Sequence, residues 1–433
     1  MTIQNRLIIF TVKLVQKLVR LLGKGEGTAL PGLLVEKFSP ALFASYSKQI
    51  HKVILVTGTN GKTTTQKAIT SILEHSGKKV LANSSGSNMR RGLLSLFVNK
   101  SSLSGKLDYE YAVLEIEEAT MPRVAKELNP KIIVVTNLYR DQLDAYGEVD
   151  RTKNMIRQAI ELVPKAEVII NGDDPQLSDL VHLAKNKVSR YAIAPEYLLD
   201  FKYEGDKCER EDKPDYLAEN IKVAGDLGTK FMVAQTLYAF ASPGIYNVYN
   251  ALAAIAVGLS LGMSSKDIEN GLLLMKVAFG RGELIEKDGI AYRLLLTKNP
   301  AGLNLVLDLL ANVKNPKIVF LLNDKIADGR DVSWIWDAEF EKLLKVEPEL
   351  IMVGGTRAEE LLLRLKYVYG NVTQIAPECY IFGDKLRVYL EPSIKKLIKL
   401  IKQDELGDHF YVVPTYTAML ALRHNLLGRA LDE

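Results

Sequence analysis

Val53-Ile54-Leu55-Val56-Thr57-Gly58-Thr59-Asn60-Gly61-Lys62-Thr63-Thr64-Thr65 decides the fold. Four apolar, mostly β-branched residues read as a buried strand. Gly58 and Gly61 bracket a turn, and the threonine run opens a helix that continues toward His75. A strand, a glycine-bearing loop and a helix N-terminus make an anion site, because free backbone N–H groups and the helix dipole converge on one spot. Gly58 precedes Gly61 by only three residues, so this is a shorter and more specific form than the general phosphate-loop pattern. The stretch predicts ATP held by Gly58, Thr59, Asn60, Gly61, Lys62, Thr63 and Thr64. Lys62 would place a point charge on the β- and γ-phosphates, and the Thr63 hydroxyl would ligate Mg²⁺.

Outward from the loop, apolar strands alternate with helical patterns. Lys79–Ala82, Tyr111–Ile116, Ile132–Asn137 and Glu167–Asn171 read as strands, and Met155–Leu162 as a helix. This implies an α/β fold, a doubly wound and mostly parallel sheet with ligands at the carboxyl ends of its strands. Glu115 then stands beside the loop, where a carboxylate can hold Mg²⁺; the plainer reading is an acidic cap shared with Glu117 and Glu118. Asp141-Gln142-Leu143-Asp144 sits at the next strand end, either orienting metal-bound water or capping a helix. Within the different stretch Pro195–Thr229, Glu204–Asp215 is dense in charge and poor in apolar residues and reads as a loop or small insertion. Asn247 and Asn250 open a helix, where they either read a base edge or cap the helix.

Gly280-Arg281-Gly282 reads as the end of this domain, and a second βα series starts near Tyr292. The expected division is 1–45 for an N-terminal helix and linker, 46–285 for the ATP-binding domain and 286–433 for a smaller α/β domain. In the last, Asp328-Gly329-Arg330-Asp331 leads into Trp334 and Trp336, the two tryptophans of the chain. That cluster reads either as an interaction surface or catalytic carboxylate, or as a polar turn before a core-packed helix.

Composition narrows the class. With 433 residues the chain expects two or three domains, and 47% apolar with 25% charged residues is ordinary for a globular protein. A net charge of +4 does not suggest a nucleic-acid binder. Cys208 and Cys379 lie far apart without a C-x-x-C partner, which fits a reducing cytoplasm and supports no cysteine zinc site. Between Arg6 and Leu22 an apolar segment is interrupted by Lys13, Lys17 and Arg20, which disfavours a signal peptide or a membrane span. Two readings stand for this helix. Its basic face rests on an anionic membrane, or it packs on the next domain with that face in water.

Assembled, these motifs resemble the Mur ligase superfamily over nearly the whole chain, and within it the MurT family. Thr57–Thr64 is similar to the superfamily's ATP loop, Glu115 to its magnesium glutamate, and Asn247 with Asn250 to its adenine-side motif. Arg281 is similar to its nucleotide-contacting arginine. The stretches 141–148, 298–302 and 328–335 are MurT-like. The resemblance implies ATP-dependent amidation of the D-glutamate α-carboxylate in lipid II, through an acyl phosphate. It implies a heterodimer with a glutaminase of the GatD kind on the C-terminal domain, with Asp331 completing that partner's Cys–His site. Lys62 and Asp331 are thus the expected catalytic residues, and Thr63 and Glu115 the metal ligands.

There are departures. Gln142 and Tyr246 stand where most Mur ligases have histidines, and Lys298 opens what is usually His-Asn-Pro. The family's four-cysteine zinc ribbon would fall near Tyr191–Lys230, where only Cys208 occurs, so no zinc is expected. The short segment before Val53 cannot form a UDP-binding domain, which suits a lipid-linked substrate at the inner face of the membrane. Lys153 is a weak candidate for a carbamylated lysine. Two alternatives remain, an amino-acid-adding ligase of the Mur or folylpolyglutamate type and a scaffold that binds ATP without catalysis.

Overall fold

A computed structural model of the chain describes residues 3–21, 30–39, 41–83, 87–139, 148–182, 185, 187–200, 213–223, 228–275, 280–403 and 406–428. The first sheet is built from β1 (Lys52–Thr57), β2 (Val80–Ala82), β3 (Tyr111–Glu115), β4 (Ile132–Val135), β5 (Glu167–Asn171), β6 (Val188–Ile193), β7 (Tyr216–Val223), β8 (Thr229–Val233) and β9 (Thr236–Phe240). Its order is β2-β3-β1-β4-β5-β6-β7-β8-β9. The pairs from β2 through β7 are parallel, and β8 and β9 add an antiparallel meander. β1 runs between β3 and β4, so the phosphate loop leaves the sheet with both neighbouring strand ends beside it.

The uninterrupted apolar run of β1 follows from this position. Val53 and Leu55 point into one core layer, and Ile54 and Val56 into the other. A strand covered on both faces needs apolar side chains at every position. The helix Lys62–His75 covers one face together with Ile245–Ser260 and Ser265–Leu273.

The second sheet contains β10 (Arg281–Lys287), β11 (Ile290–Leu295), β12 (Lys317–Leu321), β13 (Leu350–Gly354), β14 (Val372–Ala376), β15 (Cys379–Phe382), β16 (Leu386–Leu390) and β17 (His409–Pro414). Its order is β10-β11-β17-β12-β13-β16-β15-β14. The centre is parallel and both edges are antiparallel hairpins.

Two segments differ from the sequence reading. β7 follows directly on Glu204–Asp215, the charge-dense stretch read as a loop or insertion, of which residues 204–212 lie outside the described ones. It is not legible as a strand because Glu219, Asn220 and Lys222 face water and a register shift between Glu219 and Lys222 breaks the alternation. Arg281 does not close the first domain either. It begins β10, which pairs along β11 inside the second sheet.

The N-terminal segment is more structured than a helix and a linker. Helices Ile3–Leu21, Leu30–Phe38 and Leu42–Ser47 lie on the first domain, with Ile9, Val12, Val35, Leu42, Phe43 and Tyr46 in its core. Packing on the next domain is therefore one part of the answer for the first helix. No described helix is long and apolar enough to cross a membrane.

Candidate active site

The loop is shaped by its neighbours. Gly58 has φ 121° and Gly61 φ 84°, in the left-handed region that a side chain disfavours. A Cβ at Gly61 would lie 2.1 Å from Asn250 Oδ1, and one at Gly58 2.3 Å from Thr136 Oγ1. Thr136 Oγ1 donates to the Asn60 carbonyl (2.7 Å), and Asn137 grips Asn60 at both its N–H (2.9 Å) and its carbonyl (3.1 Å). Thr59 N–H donates to the Asn137 carbonyl, and its hydroxyl to that of Tyr139. The end of β4 is thus a splint for the loop, a role the sequence did not disclose for Asn137.

Thr63 Oγ1 donates to Glu115 Oε2 (2.7 Å), both side chains being buried. Glu115 is held through its backbone. Asn83 Oδ1 accepts from Glu115 N–H (2.8 Å), and Asn83 Nδ2 donates to the Glu115 carbonyl (2.9 Å). The side-chain amide imitates one more step of the β2–β3 ladder, just past Ala82 where β2 ends. Gln66 backs this arrangement by donating to the carbonyls of Asn83 and Val113. Asn83 and Gln66 escaped the sequence reading because a lone amide in a loop or helix carries no motif.

The hydroxyl of Thr63 and the carboxylate of Glu115 are hard oxygen donors suited to Mg²⁺. No cluster of three or more His, Cys, Asp or Glu side chains able to hold a metal forms among the described residues. Mg²⁺ beside a nucleotide needs none, because phosphates and water fill most of its octahedron.

Lys62 is buried and ion-paired to Glu118 Oε1 at 2.9 Å. Burial alone would lower its pKa. Glu118, Glu117 and Glu115 outweigh that and raise it, so the ammonium stays charged. Glu118 Oε1 also accepts from Gly58 N–H (3.1 Å). Glu118 therefore engages two of the groups expected to hold phosphate, beyond the capping role read for it. Burial, with Glu118 beside it, raises the pKa of Glu117 against the pull of Lys62 and Lys298.

The loop opens on a cavity of about 400 Å³ bounded by both domains. Lys62, Thr63, Glu115, Asn247 and Asn250 line it from the first; Lys298, Leu305, Asp328 and Tyr416 line it from the second. Asn247 and Asn250 are buried and do not cap their helix, whose N-cap is Gly244 without a side-chain bond. Asn250 donates to Asn247 Oδ1 (3.1 Å) and accepts from Thr65 Oγ1 (3.3 Å), so the pair buttresses the loop from behind. Asn299 caps the helix Pro300–Leu310, and its Nδ2 reaches Asn60 Oδ1 at 3.5 Å across the domains. Asp328 accepts from Thr417 N–H (2.7 Å) at the cavity wall.

Asp331, three residues on, is exposed and absent from that wall. Its Oδ1 accepts from Ser333 N–H (2.8 Å), and bonding to Ser333 holds its pKa below the usual carboxylate value. The two tryptophans divide between the two readings: Trp334 is 8% exposed and in the core, whereas Trp336 is 43% exposed and meets Tyr367 edge-on. Lys153 is ion-paired with Asp179. Cys208, the stretch 141–147 and the Arg281 side chain lie outside the described residues.

A MurT ligase C-terminal model matches residues 296–419, and a Mur ligase middle domain model matches 56–258. The subunit MurT of lipid II isoglutaminyl synthase (glutamine-hydrolyzing) from Streptococcus pneumoniae is 32% identical, covering 94% of each chain. The chain belongs to the MurT family of Mur ligases. The Staphylococcus aureus MurT subunit is 35% identical over 83% of this chain and 86% of its own. A MurF structure from Acinetobacter baumannii superposes with a TM-score of 0.69 at 21% identity, covering 92% of this chain and 81% of that one, which shows the shared fold. The cavity draws on both the regions that the MurT ligase C-terminal and Mur ligase middle domain models match.

Proposed function

We infer that the chain is the ATP-using synthetase subunit of a glutamine-hydrolysing lipid II isoglutaminyl synthase, a carbon–nitrogen ligase. The observation that carries this is end-to-end similarity to MurT subunits together with an intact Lys62–Thr63–Glu115 arrangement. ATP lies with its phosphates along Gly58–Thr64, while Asn247, Asn250 and Arg281 serve the nucleotide side. Thr63 and Glu115 hold Mg²⁺. When bound, that ion lowers the repulsion between the phosphates and an incoming carboxylate.

A D-glutamate α-carboxylate oxygen attacks the γ-phosphorus, and the bond to the departing ADP breaks. Lys62, kept charged by its acidic neighbours, neutralises the transferring phosphoryl group. Ammonia then attacks the acyl carbon, phosphate leaves with the electron pair, and a proton is lost to give the amide of D-isoglutamine. Neutral ammonia is scarce at physiological pH, so a glutaminase subunit supplies it. Asp331 serves that partner: it is ordered by Ser333 and ionised, with its carboxylate in solvent where an imidazole of another chain can meet it. Ile326 and Trp336 present apolar surface on either side of it in sequence. The lipid-linked substrate places the enzyme at the inner face of the membrane.

Incubating the chain and a glutaminase subunit with lipid II, ATP and glutamine, and weighing the product, tests this reading. Amidation removes about one dalton, whereas a residue-sized gain would identify an amino-acid-adding ligase.

A further inference from the structure

The helix Ile3–Leu21 has two apolar sides, and the core covers only one. Ile9 and Val12 are buried in the first domain, and Lys13 is tied to the Ser101 carbonyl. On the opposite side Leu7, Phe10 and Leu14 recur at three- and four-residue steps, 66%, 49% and 47% exposed. The adjacent helix Leu30–Phe38 repeats the arrangement, with Val35 buried and Leu33 and Phe38 exposed. Five large apolar side chains are thus exposed on two helices that pack against each other, more than scattered surface leucines account for.

Charge decides what covers it. Arg6 and Lys37 are exposed on these helices, the Lys37 ammonium lying 5.6 Å from the Phe38 ring centre. The helix Ile3–Leu21 contains no acidic residue, and Glu36 is the single one of Leu30–Phe38. Glu36 is turned inward, ion-paired with Arg90 at 3.0 Å and Arg91 at 2.6 Å. The outward faces thus combine apolar and basic groups with no acid. A second copy of the chain would set like charges against each other. An anionic bilayer accepts both features, apolar side chains among the acyl chains and cations among the headgroups.

We propose that the outward faces of these two helices dock the chain on an anionic membrane surface. The lipid-linked substrate of the function inferred above gives the surface its purpose, and the proposal rests on that reading to that extent. Helices anchored on one side by Ile9, Val12 and Val35 would hold the first domain at the headgroup layer, where such a substrate presents its peptide.

The test is flotation of the full chain with vesicles of phosphatidylglycerol and phosphatidylcholine, and with phosphatidylcholine alone. Binding to the anionic vesicles should exceed binding to the neutral ones by at least about tenfold and weaken with salt. The triple variant Leu7→Ser, Phe10→Ser, Leu14→Ser should lose this binding while its circular dichroism melt is kept. Lys37→Gln should weaken it about fivefold. Absence of binding by the unaltered chain, or equal binding by the triple variant, overturns the proposal. So does a solution dimer that the triple variant dissolves, because a second copy would then own the face. Amidation of a water-soluble, short-chain lipid II analogue separates the two readings. If the unaltered chain with its glutaminase fails there yet binds vesicles, the assigned function falls and the docking surface stands.

Discussion

The phosphate loop and the Asp331 turn both place carboxylates beside a left-handed glycine, in opposite surroundings. At the loop, Glu115 is buried, bonded to Thr63 and clamped through its backbone by Asn83, while Glu118 balances Lys62. At the turn, Asp331 is exposed and held through Ser333. A buried acid whose charge is balanced within the chain is built for a ligand that rearranges charge there. An exposed acid, fixed in direction and ionised, is available to a cation on another molecule, which is the part proposed for it. On the proposed function, the difference separates chemistry done by this chain from chemistry done with it.

The largest effect should come from Lys62→Ala. It should cut turnover on the order of 10⁴-fold with glutamine and with ammonium alike, because phosphoryl transfer precedes either nitrogen source. Ammonium-driven amidation that survives would dissolve the contrast by removing the loop from the chemistry. Asp331→Asn should cut only glutamine-driven turnover, on the order of 10³-fold, and leave ammonium-driven turnover intact. Loss of both would assign Asp331 a structural part in its own domain.

Glu118→Gln probes the loop more finely. On the proposed placement of ATP, its phosphates take Gly58 N–H and Lys62 from this carboxylate, so neutralising it should tighten ATP binding about tenfold in calorimetry. Weakened binding would mean that Glu118 remains beside the nucleotide as a contributor.

Much of this contrast was legible in the sequence because it rests on local patterns. The run Val53–Val56, the two glycines and Glu115 at a strand end define the loop, and a parallel sheet follows from alternating strands and helices, whereas the place of β1 between β3 and β4 is not legible there. What could not be read was supplied from a distance. Asn83 reaches Glu115 and Asn137 reaches Asn60 only after strands pair, and neither amide belongs to a pattern along the chain. Asn247 and Asn250 were visible as a pair, but their spacing equally suited a cap. The fold removes the cap reading, since Gly244 is the N-cap, and adds a contact of Asn250 with Gly61 that neither reading contained. β7 was hidden because Glu219, Asn220 and Lys222 face water and break its apolar run, and the outward leucines of the first helix because apolarity does not tell which side is covered.

Asp174 supplies a third environment that sharpens the comparison by the smallest effect. It is buried, accepts from Leu138 N–H (2.7 Å) and Gln176 N–H (2.9 Å), and belongs to the loop after β5. Burial pushes its pKa from 3.8 to about 7, against those two bonds and the charge of Lys153. Lys153 itself is committed to Asp179, so Asp174 has neither the close cation of Glu118 nor the water of Asp331. With the folded pKa above the unfolded one, the folded chain retains a proton that the unfolded chain releases between about pH 4 and 7. Stability from this group is therefore full below the unfolded value and is lost as pH rises through the folded one. Asp174→Asn should flatten that decline, reducing the difference in melting temperature between pH 5 and pH 7 by about 2 °C. An unchanged slope in the variant would show that Asp174 is already ionised in the fold, and that burial without a close cation is tolerated here.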